Sequence, residues 1–158
     1  MKILIALTLA LSATVVLGDF EDPATCDVIW RSVEGVAKSC YKFHNEKKRW
    51  VEAYSACPPG MHLLALETEA ELAFITRYIK QYVVHTYRQS WWTAGKGQVA
   101  IADSWFWKPG NTPIVFGWGP GEPNNNKNRY ENCVSYFRYA LNDDACYSRF
   151  PYICEHDF

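Results

Sequence analysis

The chain has 158 residues, with 17 acidic against 16 basic side chains, a net charge of −1 at pH 7 and 49% hydrophobic residues. This balance gives no electrostatic footprint for nucleic acid or for an anionic membrane surface, and the length suits one domain with a real core. The six cysteines, Cys26, Cys40, Cys57, Cys133, Cys146 and Cys154, contain no C-x-x-C pair, so three disulfides in an oxidising compartment are expected rather than a zinc site.

The N-terminal "MKILIALTLALSATVVLG" places Lys2 before an apolar run that closes on small residues at Gly18. This is the pattern of a secretory signal peptide spanning residues 1–18. Residues 19–158 are then expected to form a single secreted, extracellular domain, with no second membrane segment. No N-x-[ST] acceptor for N-glycosylation occurs.

Between Lys47 and Cys57, Trp50, Ala53, Tyr54 and Cys57 recur at helical spacing, and "PPG" at 58–60 predicts the stop. A second helix is expected from "TEAE", with Thr68 as N-cap, Glu71 completing a capping box, and Leu72, Ile75, Ile79 and Tyr82 as its buried stripe. Short extended runs rich in aromatic and β-branched residues follow the strand pattern: "SCYKF" from Ser39, "HLLAL" from His62, "SWWTAG" from Ser90, "SWFW" from Ser104, "CVSYFRY" from Cys133 and "PYICE" from Pro151. Two early helices among many short strands make the fold class α+β. Trp50, Trp92, Trp105 and Trp107 fall in these helix and strand patterns and are expected in the core.

From Lys108 to Arg129 the composition turns to Pro, Gly and Asn. A loop this long in a compact domain is functional or disordered, and its Phe116 and Trp118 favour order. Glu122 and Asn124 in this loop, Glu131 just after it, and Asn142 with Asp143 before Cys146 offer hard oxygen ligands without sulfur or imidazole. That chemistry suits Ca²⁺ far better than zinc or copper. Composition alone would favour ordinary Asx turn chemistry over a ligand site.

The order of the motifs decides for a ligand site. "SCYKF", "RWVEAYSAC", "HLLALETEAELAFI", "WWTAG", "WGPGEPNN", "ENC", "ND" before a cysteine, and "YICE" together resemble the C-type lectin domain over nearly the whole of residues 19–158. The resemblance implies two helices, two small antiparallel sheets and a long calcium- and sugar-binding loop. It also implies the pairings Cys57–Cys154 and Cys133–Cys146, with Cys26–Cys40 closing the N-terminal hairpin of the long form. Glu122, Asn124, Glu131, Asn142 and Asp143 match the family's calcium and carbohydrate ligands, with Pro123 cis and the Asp143 carbonyl as a sixth oxygen. Glu-Pro-Asn goes in the family with the equatorial 3- and 4-hydroxyls of mannose-type sugars.

The implied function is a calcium-dependent lectin for mannose-type glycans, by analogy those of microbial surfaces in innate defence, with self-association supplying avidity. Leu141 departs from the family Trp, and the loop carries one extra residue before Glu131. The family's upstream aspartate falls at Gly97, and Asn125 and Asn132 stand where acidic neighbours of an auxiliary ion would be, so one Ca²⁺ is expected. The alternative is a protein- or mineral-binding module of the same fold. The four histidines have no partnered Ser or Cys nucleophile, so an enzyme is not expected.

Overall fold

A computed structural model describes residues 26–83, 88–98, 104–126 and 130–158. The expected signal peptide, residues 1–18, lies outside them. Strand β1 (Val28–Arg31) forms a hairpin with β2 (Ala37–Lys48), joined to helix α1 (Trp50–Tyr54), the short strand β3 (His62–Leu63) and helix α2 (Glu69–Tyr82). The chain continues through β4 (Trp91–Gly97), β5 (Trp105–Trp107), β6 (Thr112–Pro113), β7 (Glu131–Phe137), β8 (Ala140–Ala145) and β9 (Phe150–Asp157). The expected architecture of two helices, sheet and three disulfides is present.

The strands make two antiparallel systems. In one, β1, β2 and β3 gather around β9; in the other, β5, β6, β7 and β8 gather around β4. The parallel pairing of Trp92 on β4 with Tyr152 on β9 fuses them into one nine-stranded network among the described residues. The disulfides are Cys26–Cys40, Cys57–Cys154 and Cys133–Cys146. Cys57–Cys154 closes a sequence separation of 97 and fastens the turn after α1 to β9, where restricting the unfolded chain contributes most.

Tryptophans fill the junction, with Trp50, Trp91, Trp92, Trp105 and Trp107 all buried. Two also bond across elements: Trp50 Nε1–H donates to the Thr93 carbonyl and Trp92 Nε1–H to the Lys48 carbonyl, each at 2.8 Å. Gly95 permits the closest packing of β4 on β7, because a Cβ there would lie 2.5 Å from Val134 Cβ. The "HLLAL" run is strand only at His62–Leu63; Leu64 and Leu66 are buried beyond it, with Leu64 N–H donating to the Ile153 carbonyl at 2.9 Å and the Leu64 carbonyl accepting from Ala94 N–H at 2.7 Å.

The helices depart from expectation in detail. Helix α1 is confined to five residues, too short to stand on propensity and held by Trp50 in the core. On α2, Ile75 and Ile79 are buried, but Leu72 is partly covered and Tyr82 is 61% exposed, since no described element covers the last turn there. Thr68 Oγ1 accepts from Glu71 N–H at 3.2 Å as expected of an N-cap. The Glu71 carboxylate does not reach back to Thr68; it is buried, accepting from Glu67 N–H at 3.0 Å and from Tyr41 O–H at 2.6 Å.

Glu71 also lies within hydrogen-bond reach of Glu155 on β9, whose Oε2 accepts from Ala65 N–H at 2.9 Å. Burial, and for Glu155 next the charge of Glu71, push both carboxyls up. The folded state therefore favours their protonated forms, so this contribution to stability is complete below the unfolded carboxyl pKa of about 4 and is lost as pH rises through the folded values. We predict that the Glu155→Gln variant, unfolded by denaturant in chelator, has a flatter pH dependence between acid and neutral pH than the parent and a higher midpoint at pH 7. A parallel pH profile would refute the proton-sharing pair.

Candidate functional site

The loop after β6 is stitched to β8 before it reaches its polar tip. Trp118 bridges in parallel to Leu141, Leu141 N–H donates to the Gly117 carbonyl at 2.7 Å, and Gly119 N–H donates to the Leu141 carbonyl at 2.9 Å. Leu141 itself is buried against Gly117, whose φ of +85° only glycine adopts without cost. A leucine at this position thus serves as the anchor of the loop stem.

Beyond the stem the Glu122–Pro123 peptide is cis. The chain then wraps over the Asp143 carboxylate, which accepts from Asn124 N–H at 3.0 Å and from Asn125 N–H at 2.6 Å. Glu131 Oε2 accepts from Asn126 N–H at 3.3 Å. Glu122 Oε2 accepts from the backbone and side-chain amides of Asn124, at 3.1 and 2.6 Å. Glu122, Asn124, Glu131 and Asp143 are thereby brought together by backbone bonds, with Asp143 and Glu131 buried and Asn124 exposed at the tip.

The hydrogen bonds of Asn142 run to the Asp143 carbonyl and to Asp144 rather than to the side chains of this group. Alternation along β8 buries Leu141, Asp143 and Ala145 and turns Asn142 and Asp144 to the other face. The Asn142 amide donates to the Asp143 carbonyl at 2.7 Å and to Asp144 Oδ2 at 3.0 Å, and Asp144 Oδ2 also accepts from Ser135 Oγ–H at 2.7 Å. Ser135 and Asp144 thus orient Asn142, a positioning pair that the sequence reading missed. The alternation of "LNDDA" is the signal that could have shown it.

Glu122 and Asp143 stand within hydrogen-bond reach of each other, and no Lys or Arg pairs with either among the described residues. Burial first, then the hydrogen bond and charge of Asp143, push the Glu122 carboxyl up to about 7. Two carboxylates held this close are costly unless a proton or a cation lies between them. The donor set, three carboxylates with two amides and a carbonyl, is hard oxygen throughout and fits Ca²⁺.

The fold is a two-helix α+β domain with three disulfides and an oxygen-lined loop over a β-hairpin. The family described as "Lectin C-type domain" matches residues 46–156. A C-type lectin of Micrurus corallinus is 32% identical over 143 residues, covering 85% of each chain. C-type mannose receptor 2 of Mus musculus is 33% identical over 133 residues, 82% of this chain but 8% of the receptor's length. Among solved structures, "Ca2+-independent C-type lectin SPL-2 from Saxidomus purpuratus" is 27% identical, with a TM-score of 0.63 over 75% of this chain and 86% of that one. The chain belongs to the C-type lectin family, whose members are non-enzymatic.

Removing the Asp143 carboxylate deletes the acceptor of two loop N–H groups while leaving Leu141 and the Cys133–Cys146 link in place. We expect Asp143→Ala to fold with its disulfides intact, with faster hydrogen exchange at Asn124 and Asn125 and unchanged exchange in β7. Uniform loosening of β7 and β8 would show that Asp143 supports the hairpin rather than the loop.

Proposed function

We propose that this chain is a secreted, calcium-dependent lectin for mannose-type sugars, made as one domain over residues 19–158 after a signal peptide of residues 1–18. The observation that carries the reading is the convergence of Glu122, Asn124, Glu131 and Asp143 at one end of β8, with two carboxylates in contact and, among the described residues, no side-chain cation between them. One Ca²⁺ would be held by the side chains of Glu122, Asn124, Glu131, Asn142 and Asp143 and the Asp143 carbonyl. When bound, the ion offers coordination positions to two vicinal hydroxyls. A second ion is disfavoured, because Gly97 supplies no side-chain oxygen where an acidic ligand would be needed.

Selectivity then belongs to the chain's own donors and acceptors. An ionised Glu only accepts, whereas an Asn amide donates through its nitrogen. The Asn124 amide already donates to Glu122, and a sugar hydroxyl replaces that bond by accepting from Asn124 and donating to Glu122. Glu131 and Asn142 offer the same pair of roles to a neighbouring hydroxyl. This order of acceptor and donor suits the equatorial 3- and 4-hydroxyls of mannose, and the mannose receptor relative is consistent with it. Binding of one monosaccharide is weak, so self-association would supply the avidity for a microbial polysaccharide.

Retention on immobilised mannan in calcium and its loss in EDTA are expected. A second reading, sugar or protein binding without calcium, is favoured by two observations: the loop is held by its own hydrogen bonds to Asp143, and the SPL-2 relative is named as Ca²⁺-independent. Undiminished retention in EDTA would select it. Separately, exchanging the roles in Glu122→Gln with Asn124→Asp keeps the charge count, and the ratio of galactose to mannose inhibition is expected to rise about tenfold or more. An unchanged ratio in a calcium-loaded variant would place specificity outside this pair.

A further inference from the structure

Strands β4, β5 and β6 border a cleft of about 590 Å³, with Gly97 and Trp105 in its wall. The register sets Lys96 beside Phe106 and Phe106 beside Pro113, so these side chains share one row on one face. Lys108 continues that face, its N–H donating to the Ala94 carbonyl at 3.1 Å. Gln98, Ser104 and Asn111 complete the wall.

Lys96 and Lys108 both line this cleft, and no counter-charge to either is present among the described residues. The Lys96 ammonium lies 4.9 Å over the Trp50 ring and 3.4 Å from Sγ of both Cys133 and Cys146. Among the described residues neither Lys96 nor Lys108 forms an ion pair, and no carboxylate lines the cleft. Burial first, then the charge of Lys108, pull the Lys96 ammonium below the usual lysine range. An anion seated between them would relieve that repulsion.

The neutral part of the wall says what carries the anion. Phe106 and Pro113 give an apolar floor that fits the C–H face of a pyranose ring, while Gln98, Ser104 and Asn111 offer amide and hydroxyl groups to its hydroxyls. The volume holds a ring with its substituent rather than a bare ion. Two lysines in a chain of net charge −1 do not make a nucleic-acid surface.

We propose that this cleft is a second saccharide site, selective for a sugar bearing a sulfate or carboxylate group and independent of calcium. It uses none of Glu122, Asn124, Glu131, Asn142 or Asp143. Lys96 pairs across the ladder with Cys133, two residues from Glu131, so an acidic glycan engaged here would lie near the loop without touching its oxygens.

The test is titration calorimetry on the full domain in EDTA, with a sulfated disaccharide, the matching uronate disaccharide and a neutral disaccharide as probes. Binding of either acidic probe, weakened by salt, is expected; which one binds tells sulfate from carboxylate. Lys108→Gln, at an exposed position, should weaken that binding at least about tenfold, whereas Lys47→Gln, a surface lysine elsewhere, and Glu122→Gln should not. Absence of binding by both acidic probes, equal binding of the neutral one, or equal weakening by Lys47→Gln overturns the proposal. Because EDTA is present throughout, the result stands apart from that of the calcium-dependent site.

Discussion

Strand β9 is the element on which the rest is hung. It pairs with β2 along most of its length, with β3 at His62 and Leu63, and with β4 through the parallel contact of Tyr152 with Trp92. Cys154 fixes it to the turn after α1, and Glu155 reaches under α2 to Glu71. Its residues 151–155 are all buried, so each pairing is shielded from water on both faces. Take β9 away, and the two antiparallel systems lose the pairing that fuses them.

The candidate site is at the far end of a chain of dependence that starts there. β9 holds β4; β4 holds β7, with Gly95 letting Val134 approach; β7 holds β8 through a two-residue turn at Arg138 and Tyr139, both at positive φ. Such a turn matches the right-handed twist of the strands, and it usually falls to Asn and Gly. Here Tyr139 packs under the Lys80 ammonium at 4.6 Å, a contact to α2 that helps offset the backbone cost. β8 in turn presents Leu141 to the loop stem and Asp143 to the loop tip. The loop contains little regular structure of its own, and its order comes from backbone groups bonded to β8.

Polar burial divides the molecule into two settings with different chemistry. At the base, Glu71 and Glu155 are pressed together under α2 and favour a shared proton, with Tyr41 O–H and two backbone N–H groups satisfying the remaining oxygens. At the tip, Glu122 and Asp143 are also close, but Glu122 is only partly covered and the neighbouring Asn124 is exposed. An enclosed pair can be served by a proton; an open pair beside further oxygens can be served by a metal ion and the hydroxyls of a ligand. The difference is solvent access, not residue type.

The fold class, the helices and most strands were legible in the sequence because each depends on short-range pattern or on motif order: Thr68 before "EAE", alternation in "CVSYF", Glu-Pro-Asn before a cysteine. Tertiary structure decided what depends on contacts between distant residues. It shortened α1 to five residues, left Tyr82 exposed, and sent the Glu71 carboxylate past its expected cap to Glu67 and Tyr41, because the buried partner Glu155 lies 84 positions away in sequence. It also turned Leu141 into the loop anchor and placed Asp144 beneath Asn142, and it set Lys96 and Lys108 in one cleft. Such placements follow from cross-strand register, which a sequence constrains through the period of its side chains but which only the packed sheet selects.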